Sequence, residues 1–197
     1  AVLWIAAGTG DDGRIADLAA FLRTTDRMPE ALALAEKWSK GLASPFRCKL
    51  HAFMERAAGN GEQAVEAARR SGHDYLVHVL LIESGRWGDF ARAFEEFLAA
   101  RANVGGVAYL LSAYRLAGNR EEFETTVDRL MQFARRDEDS VGPAAAALLF
   151  NGKTDMAANL LALHGEYGAA VQIRLSQGKK DQARLLTDKW VAELAEK

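Results

Sequence analysis

Five of the 17 glycines in this chain each lie between two stretches with helical apolar periodicity: Gly59, Gly85, Gly118, Gly152 and Gly178. Glycine ends helices because it adopts the left-handed backbone conformation without steric cost. An acidic residue follows each glycine after three or four positions, where a carboxylate favours the amide-rich start of a new helix. These acids are Glu62, Asp89, Glu121, Asp155 and Asp181. The pattern predicts a repeated unit of helix, glycine turn and helix.

The spacing of these turns predicts how the units assemble. Successive turn glycines are 26, 33, 34 and 26 residues apart. A period in this range is typical of helical hairpins that stack along the chain. Three prolines and a hydrophobic content of 49%, much of it alanine and leucine, favour helix throughout. We therefore expect an all-α fold, with residues 1–197 as one helical-repeat domain.

Helical periodicity between the turns predicts about thirteen segments. They are 1–8, 12–24, 28–40, 45–58, 61–71, 73–84, 88–101, 104–117, 120–136, 141–150, 154–164, 166–177 and 179–195. The first segment resembles the end of a helix, so we expect the chain to be a fragment of a longer protein. The charged run from Arg135 to Ser140 predicts a solvated loop where the array bends, with a partner site as the alternative.

Charge and cysteine content narrow the function classes. Lys and Arg number 25 against 27 Asp and Glu, a net charge of −2, which argues against a nucleic-acid groove. Cys48 is the single cysteine, so an internal disulfide framework is excluded. We expect its side chain to be buried and the protein to lie in a reducing, cytoplasmic compartment. The apolar runs are shorter than the ~20 residues that cross a bilayer. The sequence predicts a soluble protein without membrane insertion.

Two positions in each second helix carry a family resemblance. Five residues after each turn glycine stand Ala64, Phe90, Phe123, Ala157 and Ala183, and nine residues after it stand Ala68, Phe94, Val127, Leu161 and Thr187. Asp26 takes the place of glycine in an earlier turn, followed by Ala31 and Ala35 at the same offsets. The hairpins thus resemble tetratricopeptide repeats, although the family's signature tryptophan and closing proline are missing. The resemblance implies a right-handed α-solenoid, with the first set at close helix crossings and the second set packed between helices.

The resemblance also implies a partner-binding groove, because in this family the first helix of each hairpin lines a concave surface. The matching residues are Lys49, Phe53, Arg56, Tyr75, Val79, Ile82, Ala108, Ser112, Arg115, Ala146, Leu149, Gln172 and Leu175. A mostly apolar groove suits an amphipathic helix or an extended apolar peptide. The family's clamp for a terminal carboxylate is not expected, because Phe53 stands where an asparagine is required. The alternative is that Phe53, Tyr75 and Ile82 pack against adjacent hairpins.

Motifs that carry chemistry are missing from the sequence. It has no nucleophile elbow, no phosphate-binding glycine loop and no paired metal-ligand motif. His73 and His78 are five residues apart, so a helix does not bring them together as it would an i, i+4 pair. His78, within an apolar run, is expected to be a partly buried histidine. We predict no catalytic residue, no metal and no cofactor.

These observations favour a non-enzymatic scaffold that binds a peptide or a neighbouring subunit. One alternative is a regulatory or sensor arm of a larger enzyme, or of a transport or coat-type assembly. Another is RNA binding by helical repeats, against which the near-neutral charge and the unequal spacing argue. Trp4 and Trp190, on the end hairpins, are candidates for self-association, although either could cap its own hairpin.

Overall fold

A computed structural model of the chain describes residues 12–40, 44–99 and 101–196. Within these ranges the protein is all-α, with twelve α-helices, one short 3₁₀ helix and no strand. In chain order the helices are α1 (Asp12–Thr24), α2 (Met28–Lys40), α3 (Pro45–Ala58), α4 (Gly61–Ser71), α5 (Asp74–Glu83), α6 (Trp87–Leu98), α7 (Val104–Ala117), α8 (Arg120–Arg136), α9 (Val141–Phe150), α10 (Thr154–Leu163), α11 (Tyr167–Ser176) and α12 (Lys180–Ala195).

The all-α prediction is confirmed, and the predicted segments from residue 12 onward match the helices closely. The largest difference is at α6, which ends at Leu98 where the periodicity predicted residue 101. The predicted segment 1–8, which contains Trp4, lies outside the described residues.

The charged run between α8 and α9 is exposed as predicted, but part of it is helical. Glu138–Ser140 form a 3₁₀ helix. Asp137 caps it, because one carboxylate oxygen accepts from the Asp139 amide at 3.2 Å and the other accepts from the Ser140 hydroxyl at 2.7 Å. Ser140 is buried, so this connection is an ordered turn rather than an open loop.

The predicted turns have the expected backbone geometry. All five turn glycines, together with Gly72 and Gly165, have φ between +67° and +84°. Asp26 has φ of +55° and is the one non-glycine residue with positive φ in the described part. After α3, the amides of Gly59 and Asn60 donate to the carbonyls of Arg56 and Glu55 at 3.1 Å and 2.9 Å. These bonds satisfy carbonyl groups that the helix end leaves free.

The positions that follow the turns form much of the core. All six residues at the five-residue offset are buried, from Ala31 in α2 to Ala183 in α12. At the nine-residue offset Ala35, Ala68, Val127 and Leu161 are buried, whereas Phe94 is half-buried. The prediction is wrong at Thr187, which is exposed. The reason is that Ala183 is the sole buried residue of α12, so most of this helix is left uncovered.

The helices pack in chain order within two compact units, the first ending at Phe90 and the second beginning at Ala91. In the first unit α2 packs on α3, α3 on α4 and α4 on α5, and α1 also reaches α3. In the second unit each helix from α7 to α12 packs on the next, and α7 also packs on α9. Within each unit, consecutive helices therefore form hairpins that pack on adjacent hairpins. The predicted single domain stays a prediction.

Replacing glycine by alanine is expected to change the free energy of unfolding in opposite directions at two positions, because the backbone conformations differ. An added Cβ meets no atom within 4 Å at either Gly118 or Gly142, but only Gly118 has positive φ. Gly118→Ala is expected to lower the free energy of unfolding by about 1 kcal/mol, because alanine is strained in this conformation. Gly142→Ala, in the first turn of α9, is expected to raise it by about 0.5 kcal/mol. Urea denaturation followed by circular dichroism measures both, and changes of equal sign would contradict the turn geometry.

Candidate functional site

In the first unit, part of the predicted groove is exposed at the surface. Tyr75 on α5 is 82% exposed and Ile82 is 39% exposed, so neither side chain is packed away. The Arg56 guanidinium on α3 forms an ion pair with the Glu83 carboxylate on α5, next to Ile82. Lys49 and Val79 are half-buried. These residues give the first unit a surface of mixed apolar and charged groups.

Phe53 does not belong to that surface. It is 8% exposed, because α3 is covered by α1, α2 and α4 and buries most of its faces. Packing against neighbouring helices, the alternative for this residue, is therefore what the structure shows. Cys48, on the same helix, is buried at 1% exposure, and its prediction as a small core residue is confirmed. His78 is buried with its ring edge-on to Phe90, at 5.7 Å between ring centroids.

In the second unit, the structure brings candidate residues of α7 and α9 together. The side-chain amide of Asn151, just after α9, donates to the Ser112 hydroxyl on α7 at 3.1 Å. The Arg115 guanidinium on α7 lies 5.7 Å from the centroid of the Phe150 ring, next to the candidate Leu149 on α9. Gln172 is exposed on α11. Phe150 and Asn151 were missed by the sequence analysis, because they follow the helix positions that the family motif marks.

Charge divides the second unit by helix. The first helices of the three hairpins, α7, α9 and α11, contain no Asp or Glu, whereas acids occur on each of the second helices α8, α10 and α12. Arg115 and Arg174 are the two basic residues of the first helices, and Arg174 is buried. The exposed large apolar residues of these helices are Tyr109, Leu116, Leu149, Phe150 and Leu175. The first helices therefore expose apolar side chains with one charged group, Arg115.

Two polar networks connect the first helices to the helices beside them and fix their relative positions. The buried Arg174 guanidinium on α11 binds the Asp155 carboxylate on α10, and it donates to the Asn159 side-chain oxygen at 2.6 Å. Hydrogen bonds from Lys179, Gln177 and Arg174 lower the pKa of Asp155 to about 2. The network joins α10, α11 and the start of α12.

A second network ties α6, α7 and α8 together. The Tyr114 hydroxyl on α7 donates to the Glu95 carboxylate on α6, which also pairs with Arg129 on α8. Burial, and then the hydrogen bond to Glu95, raise the pKa of Tyr114 above its ordinary value. The phenol therefore stays protonated, and a hydrogen-bond donor, to a higher pH than an ordinary tyrosine.

The first unit also contains a cleft of about 320 Å³, which the sequence analysis did not predict. Its lining consists of polar residues of α2, α3 and α4: Glu36, Lys40, His51, Glu55, Glu62, Gln63, Glu66 and Arg70. Lys40 binds the Glu36 carboxylate and lowers the pKa of Glu36. The signal that could have indicated the cleft is the i, i+4 spacing of His51 and Glu55, which puts both on one face of α3.

Buried residues link the floor of this cleft to α2. His51 Nε2 lies 2.9 Å from Glu55 Oε1, and His51 Nδ1 lies 3.0 Å from Ser39 Oγ. Arg70 Nη2 on α4 approaches the same Nδ1 at 3.4 Å. We name Ser39, His51, Glu55 and Arg70 the His51 cluster. Three helices of the first unit meet in it.

The order acid, histidine and serine is that of a nucleophilic triad, but the surroundings do not suit catalysis. Ser39 is buried and does not line the cleft, and its hydroxyl donates to the Glu36 carbonyl at 2.9 Å. It lies in the last turn of α2, where free carbonyls rather than free amides are found, so oxyanion donors are lacking. Within the described ranges no group of three or more His, Cys, Asp or Glu is placed to hold a metal ion. The His51 cluster fits a structural role.

Similarity to known proteins does not assign a function. No protein-family model matches the chain, and no curated protein is significantly similar to it. Among the described helices, none is long and apolar enough to span a bilayer. The tetratricopeptide resemblance stays a prediction.

The His51 cluster predicts a non-additive pair of substitutions. His51→Leu is expected to lower the free energy of unfolding by about 2–4 kcal/mol, because it leaves the buried Glu55 carboxylate with Asn60 as its remaining hydrogen-bond partner. The double variant His51→Leu/Glu55→Met is expected to recover more than half of that loss, since no buried charge remains. Urea denaturation of His51→Leu, Glu55→Met and the double variant measures the difference. A double variant as unstable as the sum of the two single changes would contradict this role.

The low pKa of Asp155 predicts a stability difference that depends on pH. A carboxyl whose pKa falls on folding from 3.8 to about 2 stabilises the fold fully above about pH 4, and this contribution is lost as the pH falls through about 2. Asp155→Asn is expected to be less stable than the wild type at neutral pH, with a difference that shrinks below about pH 4. Urea midpoints measured from neutral pH to about pH 2 test this. Asp128→Asn, on the exposed face of α8, is the matched control.

Proposed function

We propose that this chain is a non-enzymatic protein-interaction scaffold that binds a peptide or a neighbouring subunit on the exposed faces of α7, α9 and α11. The observation that carries the proposal is the division of charge in the second unit, where acids occur on second helices and none on first helices. Exposed helix faces normally carry charged groups, and a contiguous apolar surface is typical of an interaction site. We name the exposed residues of these three helices the first-helix face.

The packing of the helices supports a tetratricopeptide-like α-solenoid as the scaffold. Consecutive helices pack on each other within each unit, and α7 also packs on α9, so two first helices are neighbours. Buried residues at the five-residue offset and left-handed turns recur along the chain. Stacked hairpins of this kind offer a long surface to a partner. A reducing, cytoplasmic compartment is proposed from the single, buried cysteine.

The arrangement of the apolar side chains favours a helical or extended ligand. Tyr109, Ser112 and Leu116 follow the i, i+3 and i+7 positions of one stripe on α7, and Leu149 and Phe150 lie on the adjacent α9. The polar contacts at Ser112 and Arg115 join the two helices beside this stripe. An apolar surface shared by two packed helices suits the apolar face of an amphipathic helix or an extended apolar segment.

A second candidate function is self-association through α12. Trp190 is 40% exposed, and its ring packs 3.7 Å from where a Cβ of Gly168 would stand, so it partly caps its own hairpin. Leu185, Val191 and Leu194 are more than half exposed on the same helix. Sedimentation of the wild type and of Val191→Glu tests this, and a monomeric wild type would contradict it.

A charge placed on the first-helix face is expected to abolish partner binding. Ala146 is exposed on α9, so Ala146→Glu adds bulk and charge to the face without removing core contacts. Thr125→Glu, exposed on the second helix α8, is the matched control. We expect a partner that the wild type and Thr125→Glu bind equally and that Ala146→Glu binds at least about tenfold more weakly.

Affinity capture on immobilised protein identifies the partner, and titration with the purified partner gives the dissociation constants. Thermal unfolding must show that both variants are folded. The proposal is wrong if every captured protein binds Ala146→Glu as tightly as it binds the wild type.

A further inference from the structure

The charged group on the first-helix face has an unusual environment. Arg115 is exposed in the last turn of α7, and within the described residues it forms no ion pair. Its guanidinium carbon instead lies 5.7 Å from the centroid of the Phe150 ring, which is 72% exposed. The chain thus places a cation and a large aromatic ring together at the surface, where neither is required for the core.

The contact with the ring leaves the hydrogen-bonding groups of Arg115 available, because a cation–π contact uses none of the guanidinium N–H donors. The contact also restricts the side chain, so less entropy is lost when the donors bind a ligand. Two parallel N–H donors match the two oxygens of a carboxylate. Phe150 therefore holds Arg115 in a form that is ready to receive an acid.

Within the described residues no acid pairs with Arg115. The helix α8, which packs on α7, carries acids, but none of them forms an ion pair with Arg115. The helices α7, α9 and α11 have no Asp or Glu, so no carboxylate on the first-helix face competes for Arg115. Leu116 follows Arg115 in the chain and Leu149 precedes Phe150, and both side chains are exposed and apolar. Apolar surroundings exclude water when a ligand covers them, and this strengthens an ion pair relative to one in open solvent. The complementary ligand carries a carboxylate beside apolar side chains.

We propose that Arg115, in cation–π contact with Phe150, binds a carboxylate of an acidic and apolar segment of a partner protein, whose apolar side chains lie against Leu116 and Leu149. This inference rests on the proposed scaffold function and names the chemistry of its ligand. Stacked arginine and aromatic groups also bind nucleic acid. The net charge of −2 and the apolar character of the surrounding surface favour a protein ligand.

The test uses three labelled peptides of equal length that share one leucine pattern and carry glutamate, glutamine or lysine at the intervening positions. Fluorescence anisotropy gives the Kd for each peptide. We expect the wild type to bind the glutamate peptide at least about fivefold more tightly than the glutamine peptide, and the lysine peptide most weakly. Arg115→Gln is expected to remove the preference for glutamate while leaving the Kd of the glutamine peptide unchanged.

Three further variants separate the roles of charge, aromatic contact and general electrostatics. Arg115→Lys is expected to keep part of the preference, because lysine keeps the charge but loses the planar pair of donors. Phe150→Leu is expected to reduce the preference, because the guanidinium loses its aromatic partner. Arg136→Gln removes an exposed arginine from the second helix α8 and is expected to change nothing.

The outcomes distinguish this inference from the function on which it rests. If the wild type binds the glutamate and glutamine peptides equally and Ala146→Glu weakens both, the first-helix face is a binding surface but the carboxylate site is wrong. If no peptide binds, an acidic and apolar segment is not the ligand, and the capture experiment on Ala146→Glu still judges the scaffold. If a short single-stranded RNA binds in an Arg115-dependent manner and the peptides do not, the ligand is nucleic acid and the proposal is overturned.

Discussion

The close contact between consecutive helices, made just after each left-handed turn, is the constraint on which the rest of the structure depends. The turn bonds the last carbonyls of one helix and reverses the chain within two or three residues. Five residues later a side chain is buried in every hairpin, and at Ala64 and Ala157 it is small enough to let two backbones approach. Each helix thereby buries one face against its neighbour in the chain.

The opposite faces remain exposed, and their chemistry differs between the two helices of a hairpin. In the second unit the second helices carry the acids, and Asp155 works with Arg174 to tie three helices together. The first helices carry the exposed apolar residues and Arg115, which has an aromatic ring rather than an acid as its partner. The proposed scaffold role rests on this open apolar face beside charged second helices. The His51 cluster likewise joins three helices, α2, α3 and α4, in the first unit.

Turns and helices were predictable because their causes are local. Positive φ selects glycine at Gly118, and Asp26, which was predicted to take the place of glycine in an earlier turn, has the same conformation. Burial at the five-residue offset followed from the repeat as well. Thr187 was predicted wrongly, and for Phe53 the sequence left both exposure and packing open, because burial depends on which helices lie over a position. Little covers α12, whereas α1, α2 and α4 all cover α3. Part of the candidate face was therefore predictable, while the exposure of each residue was not.

The sequence by itself determined an all-α chain, the ends of its helices, the glycine turns and the lack of acids on α7, α9 and α11. These properties depend on backbone preferences and on residue order, which act over a few positions. Tertiary structure alone decided that Ser39 and Arg70 meet at His51, and that Arg115 lies on Phe150. Such pairs are far apart in the chain, and their contact depends on how one helix is placed on another. No local pattern encodes that placement, because it is set by the packing of all the side chains between the helices.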